Sequence, residues 1–136
     1  MAYVSQEDKA KLAPAIKAIL KKYNVKGSIA VRHHSTLVVN IKSGAIDFIG
    51  NYNAVSQNRA HYGDRPHQVE GNIDVNVYHI DSQYTGVARE FLLELLAAMK
   101  GPEFFDHSDI QSDYFHVSHY TDINIGDWDK PYKLTA

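Results

Sequence analysis

The sequence predicts a single α+β domain over residues 1–136, with a mainly antiparallel sheet of four to five strands and two helices packed on one face. The length of 136 residues is typical of one domain, and the chain contains no repeat or low-complexity tract. Apolar side chains recur at helical spacing in two segments, and they alternate with polar ones in several others. The predicted order is helix, strand, strand, short strand, strand, helix, strand.

The first predicted helix begins at Ser5, whose hydroxyl can accept a hydrogen bond from a free backbone amide. Glu7 and Asp8 follow at the positive end of the helix dipole. Pro14 interrupts the pattern, so we expect the helix either to kink there or to begin near it, and Gly27 to close it. The apolar stripe consists of Leu12, Ile16, Ile19, Leu20 and Tyr23.

A β-hairpin is predicted over residues 28–42. Ile29 and Val31 share one face of its first strand. In the second strand, over residues 36–42, Leu37, Val39 and Ile41 share one face and the residues between them share the other. The polar break between the strands is His33-His34-Ser35, and Ser43-Gly44 is expected to turn the chain afterwards.

The middle of the chain is less regular. Ile46, Phe48 and Ile49 suggest a short third strand. Residues 51–72 form a long polar connection, which is often functional or mobile, with room for a short helix near residues 54–59. Alternation resumes over residues 73–80, which predicts another strand.

The second helix is predicted from Ser82 or Thr85 to Lys100. Gly101 and Pro102 end it, since glycine accepts a left-handed backbone and proline cannot continue a helix. Its apolar positions are Phe91, Leu92, Leu93, Leu95, Leu96 and Met99.

The last segment, residues 114–125, alternates throughout and predicts one long bent strand or a second hairpin. With helices on one side of the sheet only, one set of side chains would line the open face: Tyr114, His116, Ser118, Tyr120, Asp122 and Asn124. Such flat rings and hydrogen-bonding groups suit a peptide, a nucleotide or single-stranded nucleic acid. Any antiparallel sheet with one solvated face alternates in the same way, however.

Two further places are candidate contacts. Arg32, His33 and His34 concentrate cationic groups at the hairpin tip, where they can bind an anion. Trp128 lies in a proline-containing tail and is either a hydrophobic plug or an exposed contact. The predicted binding residues are Arg32, His33, His34, Tyr114, His116, Tyr120, Asp122 and Trp128.

No catalytic residue, metal ligand or cofactor is predicted. The eight histidines show no diagnostic metal spacing, and His116 and His119 would point to opposite faces of a strand. There is no cysteine, so thiol chemistry and zinc fingers are excluded. No phosphate-binding loop or nucleophile elbow is present.

The amino-acid composition limits the partners and the cellular location that we expect. The formal net charge is -2 with a pI of about 6.4, so no global positive field attracts nucleic acid. The longest apolar run is too short to span a bilayer, and no signal peptide is evident at the start. We therefore expect a cytoplasmic protein with no membrane contact, either a monomer or a homodimer.

Several stretches together resemble small uncharacterised proteins of large tailed bacteriophages, which are related to a large polyvalent protein-associated domain of phages and conjugative elements. They are residues 12–17, 31–40, 47–52, 108–115 and 123–132, the last reading Ile-Asn-Ile-Gly-Asp-Trp-Asp-Lys-Pro-Tyr. The resemblance covers most of the chain and implies an α+β domain that acts early in the contest with the host cell. It brings no catalytic residues to this sequence.

Three functions stay open. The leading hypothesis is a non-enzymatic phage accessory protein that binds a host macromolecule, such as a host protein of defence or replication. The second is a nucleic-acid-binding protein that uses the Tyr/His-rich sheet face and the Arg/His hairpin tip. The third is a small metal-dependent hydrolase or nuclease.

Overall fold

The computed structural model describes residues 4–59, 68–101, 119–127 and 129–135. The helices are α1 (Gln6–Lys22), α2 (Phe48–Arg59), α3 (Ile80–Gln83) and α4 (Gly86–Lys100). The strands are β1 (Val25–Arg32), β2 (Thr36–Gly44), β3 (Ile73–Val75), β4 (Tyr120–Ile125) and β5 (Lys133–Leu134).

The strands form one mixed, mostly antiparallel sheet in the order β1-β2-β4-β3, and β5 also pairs with β2. The β1–β2 and β3–β4 pairs are antiparallel, whereas β4 and β5 run parallel to β2. The predicted α+β class and the packing of two long helices against the sheet are confirmed.

Helix α1 begins as predicted, with a capping box between Ser5 and Asp8. It runs through Pro14 without stopping, although that residue has no N–H to donate to the preceding turn. The helix also ends earlier than expected, because Asn24 adopts a left-handed backbone with φ of 55° and Gly27 lies inside β1. Two buried residues anchor its apolar stripe in the core, namely Ile16 and Leu20.

The predicted hairpin is present, and its side-chain alternation places Ile29, Val31, Leu37, Val39 and Ile41 toward the core. The first strand starts at Val25 rather than residue 28, and its register shifts between Lys26 and Gly27. The chain does not turn at Ser43, because β2 continues to Gly44, where it pairs with both β1 and β5.

The predicted third strand near residues 46–49 was wrong. Phe48 is the first residue of α2, and the Asp47 carboxylate accepts a hydrogen bond of 2.9 Å from the Gly50 amide, as a helix N-cap does. The short helix expected near residues 54–59 is therefore the second half of a longer one.

The strand predicted over residues 73–80 is only three residues long. Asn76 ends it, since its side chain accepts from the Tyr78 amide at 3.1 Å and its carbonyl from the His79 amide at 3.0 Å. Ile80 then begins α3, which the sequence did not indicate.

Helix α4 starts after Thr85, the second of its two predicted starts, and ends at Gly101 as expected. Its apolar side chains and those of α1 share one core with the inward-facing strand residues. Phe91 lies at the centre, edge-on to Tyr23 and tilted against Phe48, with ring centroids 5.3 and 5.5 Å away. Outside the core, Glu94 of α4 accepts hydrogen bonds from Lys22 at 2.8 Å and from the Tyr23 hydroxyl. These bonds link α4 to the C-terminal end of α1.

The last predicted strand is described from residue 119 onward, and residues 114–118 lie outside the described part of the chain, as does Trp128. Strand β4 has the predicted alternation, with Ile123 and Ile125 fully buried. His119, just before it, is buried and places its Nε2 atom 2.9 Å from the Met99 carbonyl oxygen.

Two buried tyrosines differ in one hydrogen bond. The Tyr132 hydroxyl donates to the Ile46 carbonyl at 2.6 Å, and burial raises the pKa of Tyr132 to about 12. The Tyr84 hydroxyl is buried with no partner among the described residues, and burial raises its pKa as well. A buried hydroxyl without a partner costs about 1–3 kcal/mol.

We therefore expect Tyr84→Phe to raise the free energy of unfolding by about 1 kcal/mol, because it removes an unsatisfied donor. Tyr132→Phe is the matched control and should lower it by about 1 kcal/mol through loss of the bond to Ile46. Urea denaturation of both variants checks this pair. Equal effects of the two substitutions would contradict the assignment.

Candidate functional site

The tip of the β1–β2 hairpin has an unusual backbone. His33 and His34 both have left-handed φ angles, 55° and 56°, and the Ser35 amide donates to the Arg32 carbonyl at 3.3 Å. This is the geometry of a type I′ turn, in which Asn-Gly is the preferred pair. For residues other than glycine, left-handed backbone costs about 1–2 kcal/mol each. Strain of this kind clusters at functional positions.

The strand register brings further candidates to this end of the sheet. Arg32 pairs with Thr36 across the hairpin, and Thr36 pairs with Tyr120 at the start of β4. Because β3 runs antiparallel to β4, the chain leaves β3 at the same end, where it turns through Tyr78. The two tyrosines are unusually open to solvent, with 85% of Tyr78 and 45% of Tyr120 exposed.

We call this region the tip surface. It consists of Arg32, His33, His34, Tyr78, Tyr120 and Asp122. All described members of the set predicted from sequence belong to it, and the remaining predicted residues, Tyr114, His116 and Trp128, lie outside the described residues. Tyr78 was missed, because a strand over residues 73–80 would have made it one more outward-facing position.

An ion pair crosses the open face of the sheet next to the tip. The Arg32 guanidinium lies 2.8 Å from the Asp122 carboxylate. Arg32 is on β1 and Asp122 on β4, so the arginine side chain must cross the intervening strand β2. This explains why Val38, which faces away from the helices and pairs with Asp122 in the register, is 5% exposed.

Side-chain amides continue the polar face beyond the ion pair. The Asn124 amide donates to the Asn40 side-chain oxygen at 3.2 Å, and it lies 3.5 Å from the Asp122 carboxylate. Asp74 of β3 pairs with Asn124 in the register and completes the row. This row joins β2, β4 and β3 through hydrogen-bonding groups on the side of the sheet opposite α1 and α4.

Asp74 carries the least compensated charge of this row. Asp74 is exposed, but neighbouring groups on the sheet partly desolvate its carboxylate and raise the pKa of Asp74 above its usual range; the nearby Asp122 carboxylate raises it further, while Arg32 opposes the shift. The guanidinium is already engaged by Asp122, and among the described residues no ion pair holds Asp74 itself.

We expect Asp74→Asn to stabilise the protein by a few tenths of a kcal/mol at pH 7, since an exposed carboxylate is strongly screened by solvent. A raised folded-state pKa means that the penalty is absent below about pH 4, the unfolded value, and develops as pH rises through the folded value. Urea titrations of wild type and variant should therefore differ at pH 7 and coincide at pH 3. The exposed Asp129→Asn is a control for the loss of one charge, and an equal gain there would contradict the role of Asp122.

A substitution in the hairpin turn can test whether the left-handed backbone of His33 and His34 lowers stability. Replacing His33-His34 by Asn-Gly should raise the free energy of unfolding by about 1 kcal/mol, after allowing for the added freedom of glycine in the unfolded chain. The readout is the urea midpoint at unchanged slope. His79→Gln is the control: it replaces an exposed histidine with an ordinary φ of −127° by another polar side chain that is not a preferred helix cap, and it should have little effect. An unchanged or lower midpoint for Asn-Gly would show that the turn is not strained.

Chemically, the tip surface offers aromatic rings, imidazoles and one guanidinium paired with a carboxylate. Among the described residues, no three His, Cys, Asp or Glu side chains are grouped so that they can hold a metal ion. These groups suit reversible contact with another molecule.

Comparison with known proteins adds no relative: no family model, no curated protein and no solved structure matches the chain. Within the part of the chain that the structure describes, no helix is both long and apolar enough to cross a bilayer. The chemistry of the tip surface is therefore the basis for a function.

Proposed function

We propose that this chain is a non-enzymatic binding protein that holds a host protein through the tip surface, in the setting of phage infection that its sequence resemblance implies. One observation carries the proposal: two exposed tyrosines, an arginine and a strained histidine turn all lie toward one end of the sheet. Large exposed aromatic side chains of this kind are what protein interfaces concentrate.

The energetics support an interface of this composition. Tyrosine and arginine are enriched among the few residues that dominate binding, where truncation costs about 2 kcal/mol or more. A tyrosine also loses little side-chain entropy on binding, because only two torsions are fixed. Tyr78 and Tyr120 are the two largest aromatic surfaces that the described residues expose.

The charges favour a protein partner over nucleic acid. The Arg32 guanidinium is neutralised by Asp122, and Asp74 adds a further carboxylate on the same face. A phosphate backbone would meet these carboxylates, and the net charge of -2 provides no compensating field. A polypeptide surface with donor groups is complementary to this face.

The test is capture from a bacterial lysate with three forms of the tagged protein. The double variant Tyr78→Ser with Tyr120→Ser removes both rings. Leu134→Ser is the control, because Leu134 is 55% exposed and lies on β5, which pairs near the opposite end of β2. We expect the same partner with wild type and Leu134→Ser and its loss with the double variant.

The captured partner is then titrated in purified form. Loss of both tyrosines should weaken its affinity at least thirty-fold, the equivalent of about 2 kcal/mol. Capture of no specific partner, or equal capture by all three forms, would overturn the proposal. So would a partner that disappears after nuclease treatment, which would identify nucleic acid as the ligand.

A further inference from the structure

A second surface lies along the outward edge of β1, away from β2. Strand β1 is the terminal strand of the sheet and is eight residues long. Among the described residues, no backbone group beyond β2 and the hairpin turn is hydrogen-bonded to it. Its central stretch, residues 27–31, carries no charged side chain. Long uncharged edges of this kind are templates for pairing with another strand.

We propose that two copies of this chain pair antiparallel through the β1 edges, with a two-fold axis at Ala30, and so form one continuous sheet. The axis stands perpendicular to the sheet, so the helices of both copies lie on the same side. Two-fold symmetry is the commonest symmetry among homo-oligomers, and in a two-fold contact the same surface of both copies pairs with itself. The proposal does not depend on the identity of what the tip surface binds, and the proposed ladder ends at Arg32, which is the one residue that the two surfaces share.

Side-chain complementarity selects this register. With the axis at Ala30, Ile29 lies opposite Val31 of the second copy, and Ser28 lies opposite its Arg32. Ile29 and Val31 are only half-buried at the rim of the core, so pairing completes the burial of both. Directly opposite apolar side chains stabilise an antiparallel pair.

The neighbouring registers are less favourable. An axis at Ile29 would place Lys26 opposite Arg32 of the second copy, and like charges directly opposite are destabilising. An axis at Ser28 would bring the register shift between Lys26 and Gly27 into the new ladder. The ladder centred on Ala30 spans residues 28–32 and avoids both problems.

The experiment uses opposite charges at the two-fold axis. Wild type should show the mass of a dimer by light scattering at high concentration and dissociate on dilution. Ala30→Lys and Ala30→Glu each place like charges opposite one another, and each should be monomeric at the concentration where wild type is dimeric. An equimolar mixture of the two variants should regain the dimer mass, and added salt should weaken that recovery.

The possible results distinguish the proposed dimer from a monomer and from a dimer in another register. A wild type that is monomeric at every concentration overturns the proposal, and so do single variants that dimerise as well as wild type. Failure of the mixture to recover, with both variants folded by circular dichroism, overturns the register at Ala30. If the variants do not fold, hydrogen exchange of wild type decides: β1 amides should be protected more strongly at high concentration than at low, and equal protection contradicts the dimer.

Discussion

Phe91→Ala is expected to lower the free energy of unfolding by about 3–5 kcal/mol, the range for truncating a fully buried phenylalanine. Phe91 is 0% exposed and contacts the rings of Tyr23 and Phe48, so its loss opens a cavity between α1, α2 and α4. A loss of this size is a large part of the total free energy of unfolding, which is about 5–15 kcal/mol for a typical domain. Urea denaturation with the linear extrapolation measures the change.

Val87→Ala on the same helix is the control for this prediction. Val87 is half-exposed, and alanine is the better helix former, so we expect a change within about 0.5 kcal/mol. A loss below about 2 kcal/mol for Phe91→Ala would show that the surrounding rings collapse into the space, and would remove Phe91 from the centre of the core.

Gly126→Ala should destabilise by about 3 kcal/mol, from two separate costs. Gly126 has a left-handed φ of 70°, which costs a residue with a side chain about 1–2 kcal/mol. A Cβ atom there would also lie 2.5 Å from the Gly71 carbonyl oxygen and 2.6 Å from the Tyr132 amide nitrogen. Both neighbours are backbone atoms that hydrogen-bond to each other at 2.8 Å, so neither moves freely.

Gly86→Ala is the control that measures the backbone cost without the steric cost. Gly86 has a similar φ of 58°, but nothing lies within 4 Å of the position that a Cβ atom would take, so only the backbone cost of about 1–2 kcal/mol is expected. Thermal melts of both variants provide the comparison. Equal losses at the two positions would mean that the contact with Gly71 and Tyr132 relaxes without penalty.

The local signals in the sequence predicted much of the fold. Ser5 and Gly101 marked true helix ends, and the alternation of residues 36–42 gave the correct inward face of β2. The prediction for residues 46–49 was wrong because three apolar residues near one another resemble a strand. Asp47, directly before Phe48, was the better signal, since it caps a helix. The short β5 carries no periodic signal, since two residues are too few to show one.

The candidate site was predicted in part. Alternation alone placed Asp122 and Tyr120 on the open face, and the hairpin turn placed His33 and His34 at its tip. The pairing of Arg32 with Asp122 depends on β4 entering the sheet beside β2, and separation along the chain gives no indication of that. Tyr78 lies in a turn rather than in a strand because Asn76 ends β3, and this local turn competes with the strand pattern.

The strand order also has a consequence for folding during synthesis. β4 lies between β2 and β3, so β3 has no described sheet neighbour, and one side of β2 is bare, until residues 120–125 have left the ribosome. Contacts of such long sequence separation slow folding and leave apolar strands open to aggregation meanwhile. The nascent chain is therefore expected to depend on chaperones most strongly before its final segment emerges.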